Sequence, residues 1–456
     1  MNEPKLPKTA ELDELVSQYS DIEFVDAIFA DLHGYIRGKR FPIDEAGKIY
    51  TSGIQIPDSS FFLDPQGDSG DPCGRGFSDG DPDSTLRPVP GTACYVPWGT
   101  GKGAQVLVEL YNEDGSSNYS DPRQLAARAV DNFRNLGYRL HIAFELEFYL
   151  LDESSDDRGR PRFPSKFDED SGEIPTQVYS LSDLDRQHEF LTGVQDACRI
   201  QGIPSSTTTS EYSPYQYEVN LRHTDDPLAA ADYCALLRRI VKENASGLGM
   251  RATFMPKPFV DYSGSGMHIH LSMADRSGNN VFRGDDEYGS SLMRQAIGGL
   301  LDSMADMFAI FAPGRNSFRR FVPDMFVPVN RTWGYNNRSV AIRIPGGPDH
   351  ARRLEHRVAG ADANPYLVLI AILGGINHGI AEGIDPGEAK SFVNVSAQID
   401  ESLPLEWERS IAVFEKSEFA ERYFSREYVD LYCAVKRDEV IKYRNYITDR
   451  DYQLYL

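Results

Sequence analysis

The sequence predicts an α+β fold: a small β-rich N-terminal domain followed by a large α/β domain. Three observations carry that expectation. Apolar and polar residues alternate with period two in "FELEFYLL" (144–151), "YQYEVNL" (215–221) and "GMHIHLSM" (266–273), the pattern of strands with one buried face. Longer segments with helix start and stop signals lie between these strands. A stretch rich in Gly, Pro, Asp and Ser, from 64 to 90, separates the N-terminal strands from one another. The boundary is expected near 105–120, giving residues 1–112 and 113–456 as the two domains.

Residues 11–19 read as a short helix, and "FVDAIFADLHGYIRGKRFPI" (24–43) as a hairpin turning at His33-Gly34. The 64–90 stretch is expected to be one long irregular loop, since strand-like "ACYVPW" and "QVLVELY" follow it. In "SDPRQLAARAVDNFRNLG", Ser120 is the expected N-cap, Pro122 falls in the first turn and Gly137 lies just past the end. The strand "HIAFELEFYLL" comes next, then a helix around 181–200, "YQYEVNL", a helix around 227–247 and "MRATFMPKP". "SGMHIHLSM", a helix around 289–311 and mostly helical segments complete the chain, with no repeat at a fixed period.

Composition narrows the function classes. With 456 residues, 41% hydrophobic and 25% charged, the chain can bury a sizeable core. A formal net charge of −22 argues against nucleic acid as a partner, because phosphate backbones are bound by clustered Lys and Arg. The five cysteines are scattered without CxxC spacing, which points away from a disulfide framework or a zinc site and towards a reducing cytoplasm. The N-terminus "MNEPKLPKTAELDELV" has no apolar leader region. The longest apolar run, "YLVLIAIL" (366–373), is short of the ~20 residues of a spanning helix, so no membrane partner is expected.

The chemistry lies on the polar faces of the strands. Glu145 and Glu147 point one way from "FELEFYLL", and His268, His270 and Ser272 share one face of "GMHIHLSM". In "RLEHRVAG", Arg353, Glu355 and Arg357 share a face, and "EYSPYQYEVNL" supplies Glu211 and Glu218. If these faces converge, five carboxylates and a histidine form an oxygen-rich cluster. Such a cluster cannot stay ionised without cations. Hard oxygen ligands with one imidazole suit Mg²⁺ or Mn²⁺, and two such ions would bring the five carboxylates to about −1. Arg319, Arg320, Arg338, Arg343, Arg353 and Arg357 offer planar forks for carboxylate or phosphate oxygens beside it.

"FADLHGYIRGK", "AFELEFYLLD", "TFMPKPF", "GSGMHIHLS", "NSFRRFVP", "NNRSVAIRIP" and "RRLEHRVAGADANPYL" occur in the order in which the glutamine synthetase family carries them, over nearly the whole chain. The chain therefore resembles that family. The resemblance implies an N-terminal β-grasp domain and a glutamine synthetase-like catalytic domain. It further implies a cytoplasmic homo-oligomer, a dodecamer of two stacked hexameric rings with active sites between subunits. It also implies ATP and two or three Mg²⁺ (or Mn²⁺), with L-glutamate activated as γ-glutamyl phosphate and attacked by a small amine.

By motif position, Glu147, Glu211 and Glu218 resemble ligands of one ion, and Glu145, His268 and Glu355 those of another. His270 and Arg353 resemble nucleotide-phosphate contacts, with Ser272 beside them. Gly264 matches the loop holding the glutamate α-amino end, Arg320 and Arg357 the residues gripping its carboxylates. Arg338 and Arg343 match those facing the transferred phosphoryl group. Asp31 and Asp58 match acids reaching the amine site from the neighbouring subunit. Ammonia-using members carry a glutamate where this sequence has Phe326, two residues after Asp324, which favours an amine with a carbon chain. Tyr215 stands where many relatives have Gly, either narrowing the pocket entrance or packing against a loop. "QVYSLSDLD", "ATFMPKP" and "NPYLVLIAILGGINHGI" are most similar to the γ-glutamylpolyamine synthetase branch. The expected activity is therefore glutamate–amine ligation onto a polyamine or alkyl monoamine. Ordinary glutamine synthetase and a catalytically silent homologue are the alternatives.

Overall fold

The computed structural model describes residues 9–99, 101–164, 178–284 and 286–456. The first eight residues, on which the leader reading partly rests, and Gln177, which opens "QVYSLSDLD", lie outside the described residues. Two sheets organise the described chain, and it is α+β. The first is built from β1 (Phe24–Ala30), β2 (Ile36–Pro42), β3 (Ile54–Pro57), β4 (Asp83–Pro88), β5 (Cys94–Val96) and β6 (Gly103–Tyr111). Its order is β2-β1-β6-β4-β3, with β5 also on β6 and β1 running parallel to β6.

The hairpin between β1 and β2 turns where expected, but an acid organises the turn. Asp31 Oδ1 accepts from the backbone N–H of His33 and of Tyr35, both at 2.9 Å, and Gly34 takes φ +77°. The 64–90 stretch is not wholly irregular: its last part is β4, where Ser84 and Leu86 are buried in alternation between β3 and β6.

The second sheet holds β7 (Arg139–Asp152), β8 (Ser205–Ser210), β9 (Gln216–Leu221), β10 (Met250–Thr253), β11 (Met267–Ala274), β12 (Trp333–Tyr335), β13 (Ile342–Ile344) and β14 (Leu354–His356). Its order is β12-β13-β14-β11-β7-β9-β8, with β10 on the end of β7 and all pairs antiparallel except β12–β13. Strand β7 shows why the sequence folds this way. Leu140, Ile142, Phe144, Leu146, Phe148 and Leu150 are all buried on one face, while His141, Glu145 and Glu147 occupy the other. The apolar face packs on the helix Pro227–Gly247, the one predicted at 227–247.

Three helices differ from expectation. The helix Pro122–Asn135 is capped by Asp121 rather than Ser120: the Asp121 carboxylate accepts from the N–H groups of Arg123, Gln124 and Leu110, while the Ser120 hydroxyl donates to Asn118. The segment around 181–200 divides into Leu181–Arg186 and His188–Ile200, and that around 289–311 into Ser291–Asp302 and Phe308–Phe311. The run at 366–373 belongs to a longer helix, Pro365–Glu382, which by length and composition alone could cross a membrane. It instead packs against the helices Pro122–Asn135 and Ser291–Asp302, with 72% of it inside the protein, as a core helix does. All five cysteines are free.

Candidate active site

Strand register brings the acidic faces together. Glu145 lies opposite His268 on β11 and Asn220 on β9, Glu147 lies opposite Glu218, and Glu355 on β14 lies opposite both His270 and Arg343. Residues facing each other across antiparallel strands hold their side chains on the same face. Five segments remote in sequence therefore converge on one side of the sheet.

His268 is the hub. Its ring nitrogens lie 3.6 Å from Glu145, 3.9 Å from Glu147, 4.0 Å from Glu218 and 3.8 Å from Glu355. Two groups have ligand atoms all within 4.8 Å of one another: Glu145, His268 and Glu355, and Glu147, Glu218 and His268. The first group is the trio expected from the motifs. In the second, His268 stands in place of Glu211, which lines the same cavity but lies outside the tight group.

Charge is distributed unevenly. Glu355, buried, pairs with Arg343 at 2.7 Å and with Arg357; burial would raise its carboxyl, but Arg357, the two histidines and Arg343 hold it well below the usual range. Burial likewise acts on Glu145, and His270 and His268 overcome it, so this carboxyl too is held low. The other three go the opposite way. Burial raises Glu147 and Glu211, and raises Glu218 well above the ordinary value, with the neighbouring glutamates adding to the rise at Glu218. Among the described residues, no Lys or Arg comes within ion-pair distance of Glu145, Glu147, Glu211 or Glu218. Four carboxylates on one floor with no Lys or Arg at ion-pair distance among the described residues, oxygen donors beside the His268 imidazole, fit hard divalent ions.

The cavity above this floor measures about 700 Å³. Arg320, Arg338, Arg343, Arg353 and Arg357 line it together with His270 and Gly264. Arg353 Nε lies 3.2 Å from His270 Nδ1, and His270 Nε2 lies 2.9 Å from a Glu145 carboxylate oxygen. Arg320 is fully enclosed, donating to the Val358 carbonyl at 2.8 Å and to that of Arg357 at 3.3 Å, and burial lowers its guanidinium to about 10. Phe326 lies at the mouth, 60% exposed, beside Asp324 and Met325.

Four expected residues fall elsewhere. Ser272 continues the β11 face one step beyond His270, opposite His141, outside the cavity lining. Tyr215 stacks on Phe163, ring centroids 5.5 Å apart, and donates to the Pro164 carbonyl at 3.2 Å; of the two readings, packing is the one its position matches. Asp31 pairs with Arg37 at 2.6 Å and Asp58 with Arg75, both away from this chain's own cavity.

Several lining residues escaped the sequence reading: Lys257, Thr209, Asn220, Tyr179 and Tyr212. Asn220 was within reach, two residues beyond Glu218 on the same strand face. Lys257 sits in the quoted "TFMPKPF", its ammonium bonded to the Tyr262 carbonyl. Thr209 needed the β8–β9 register, which sets it opposite Glu218.

Residues 119–455 match the family description "Glutamine synthetase, catalytic domain". Gamma-glutamylputrescine synthetase of Escherichia coli is 36% identical over 97% of this chain and 93% of its own length. The chain belongs to the glutamine synthetase family. Membership makes it an enzyme, a ligase of the glutamate–amine type, in a family that uses ATP and divalent metal. Glutamate–isopropylamine ligase of a Pseudomonas species is 32% identical over 93% of each chain. The solved structure of apo GmaS without ligand superposes with a TM-score of 0.83 at 26% identity, covering 96% of this chain and 98% of that one.

One local prediction follows from the packing at Gly264. A Cβ there would stand 2.6 Å from Arg320 Cγ and 2.8 Å from the Pro256 carbonyl, closer than packed atoms tolerate. Gly264→Ala should cost about 1–3 kcal/mol in urea unfolding. An unchanged midpoint would show that the segment yields freely.

Proposed function

We propose that this enzyme joins the γ-carboxylate of L-glutamate to an amine bearing a carbon chain, a polyamine or an alkyl monoamine. ATP is converted to ADP and phosphate by way of γ-glutamyl phosphate. The observation that carries the acceptor is Phe326. It places an exposed aromatic wall at the mouth of a cavity with a carboxylate floor, at the position where ammonia-using relatives hold a glutamate. An apolar wall leaves bare ammonium without a partner and covers the methylenes of a longer amine. The acceptors of two similar proteins, putrescine and isopropylamine, support the reading.

The residues take roles by position. Glu145, His268 and Glu355 would hold one divalent ion, and Glu147, Glu218 and Glu211 a second, with His268 close enough to serve either. When bound, the ions would neutralise the meeting of a phosphate chain with carboxylates. Arg338 and Arg343 face the cavity where negative charge builds on the transferred phosphoryl group, and His270 and Arg353 hold the rest of the nucleotide's phosphates. Arg320 and Arg357, fixed in the wall, orient the glutamate carboxylates, and the Gly264 loop receives its α-amino end. The resulting acyl phosphate loses phosphate as the amine nitrogen bonds to the γ-carbon and gives up a proton. In the ring assembly we place this enzyme in, Asp31 and Asp58 of a neighbouring copy approach the amine; Asp58 keeps one buried oxygen without a hydrogen-bond partner among the described residues of its own chain.

Phosphate release from ATP and glutamate, measured with ammonium, putrescine, longer polyamines, ethanolamine and alkylamines, tests the acceptor. Turnover should be best with a carbon-chain amine. Phe326→Glu should raise kcat/KM for ammonium about tenfold, the worth of one charge-assisted contact. Best turnover of the wild type with ammonium would favour the second reading, an ammonia-using enzyme in which Asp324, also on the cavity wall, receives the cation. No turnover with any amine would favour a silent homologue.

A further inference from the structure

A second cavity, of about 540 Å³, opens between the β1–β2 turn and the helix Pro227–Gly247 and shares no lining residue with the first. Its charged residues are Arg238, Arg239 and Lys242 against Glu243 and Asp362. Arg238 lines it and is only 8% exposed, yet no carboxylate oxygen among the described residues lies within ion-pair distance. One guanidinium nitrogen donates to the Ala363 carbonyl at 2.6 Å, and Nε has no hydrogen-bond partner among the described residues. Lys242, one helical turn on, lines the same cavity with no acid among the described residues within ion-pair distance; its ammonium sits 5.8 Å from the Tyr35 ring and 5.9 Å from the Phe254 ring. Arg238 also lies over Phe254, at 5.9 Å.

These contacts do not balance the site. Cation–π contact is worth about 0.5–2 kcal/mol, whereas an enclosed guanidinium without a counter-charge loses several kcal/mol of hydration. The chain carries 69 acidic against 47 basic residues, so a carboxylate for Arg238 was plentiful in composition. Asp362, a buried acid on the same wall, lies beyond ion-pair distance of Arg238; its Oδ2 accepts from the Ser317 hydroxyl at 2.6 Å, its Oδ1 has no hydrogen-bond partner among the described residues, and burial raises its carboxyl towards the neutral form. Glu243, also on the wall, is exposed. Tyr35, Ile36, Phe254 and Met255 give part of the wall an apolar, partly aromatic surface, which suits an organic body better than a bare inorganic oxyanion.

We propose that this cavity binds a small organic acid, its carboxylate held by Arg238 and Lys242 and its carbon skeleton against Tyr35 and Phe254. The site is separate from the carboxylate-lined cavity and does not depend on the acceptor assigned above. The test is a titration of ¹³C-glutarate, and in parallel of inorganic phosphate, into the intact protein and three variants. Glutarate should bind wild type saturably and more tightly than phosphate. Its affinity should fall about tenfold or more in Arg238→Met and in Lys242→Met, a loss of one charge-assisted contact each, and hold in Arg357→Lys, which alters the grip on glutamate carboxylates in the first cavity. Lys242 is on the surface, so its variant reports even if Arg238→Met fails to fold. Loss in Arg357→Lys alone would put glutarate in the other cavity and overturn the proposal, as would equal affinity throughout or no binding. Tighter binding of phosphate would overturn the organic acid. A change of oligomer size in Arg238→Met without glutarate binding would assign the missing carboxylate to a neighbouring copy, and would overturn it too.

Discussion

Glu147→Gln should lower amine-dependent phosphate release by about 10²-fold or more while leaving the metal-free protein as stable as wild type or slightly more so. The two halves of this result have different causes. The amide has the shape of the carboxyl, and its oxygen can keep the bond that Glu147 Oε2 accepts from the Gly266 N–H at 2.7 Å. Burial already raises the Glu147 carboxyl, so the neutral amide matches the form the apo fold prefers. What the amide lacks is charge, and a hard divalent ion loses one of its anionic ligands. Stabilisation of a phosphoryl transition state by such an ion is worth several kcal/mol, each 1.4 kcal/mol being a factor of ten. Stopped phosphate assays beside thermal unfolding in chelator measure the two quantities separately. Wild-type activity in the variant would sink the assignment of Glu147 to an ion. A large loss of stability with the loss of activity would make Glu147 a structural residue instead.

What the sequence disclosed of this site follows from the geometry of a strand. Glu145 with Glu147, and His268 with His270, stand two apart, so each pair had to share a face whatever the fold. Which face meets which is a matter of register between segments more than a hundred residues apart, and spacing does not encode that. The order of the family motifs supplies it, and the three residues those motifs put together, Glu145, His268 and Glu355, have ligand atoms within 4.8 Å of one another. The same limit explains the shift at Glu211: it follows a strand end and precedes the turn at Ser213, so its position depends on loop geometry that periodicity does not describe. Thr209, Tyr179 and Tyr212 carry no pattern of their own. Asp121 outcompeted Ser120 as the cap because its carboxylate could accept from three N–H groups, the third reached only through β6.

The sheet also separates two kinds of arginine. Arg320 and Arg357 are buried and bonded to carbonyls or to Glu355, so they form part of the wall before any ligand arrives. Arg338 is exposed at the cavity, able to follow a moving charge. A preformed pair suits a substrate that must be held still, and a free one suits charge that develops during reaction. That division is the physical content of assigning glutamate to the first pair and the phosphoryl group to Arg338, with Arg343, already paired with Glu355 at 2.7 Å, as a fixed neighbour.

Divalent cations should stabilise this protein increasingly as pH rises from about 5 to 8, and Glu218→Gln should flatten that dependence. The sign follows from the carboxyls raised above their ordinary value of 4.5, those of Glu147, Glu211 and Glu218, in which burial is the leading cause. Above that pH the unfolded chain releases these protons while the folded apo chain retains them, so unfolding releases protons and apo stability falls as pH climbs. Glu145 and Glu355, held low, are ionised in both states throughout the window and add no slope there. A bound ion removes the penalty by favouring the ionised form, so loaded protein should lose little over the same range. At a hundred times its Kd, an ion contributes about 2.7 kcal/mol, readily seen as a shift in melting temperature with Mg²⁺ or Mn²⁺ against chelator. Glu218, pressed hardest by its neighbours, gives up most of the unfavourable ionisation when it becomes Gln, so the variant's apo protein should resist high pH better and gain less from the ion. An apo stability that rises with pH across this window would mean that those carboxylates already have a cation of the chain's own beside them, and the divalent centre would have no charge left to neutralise.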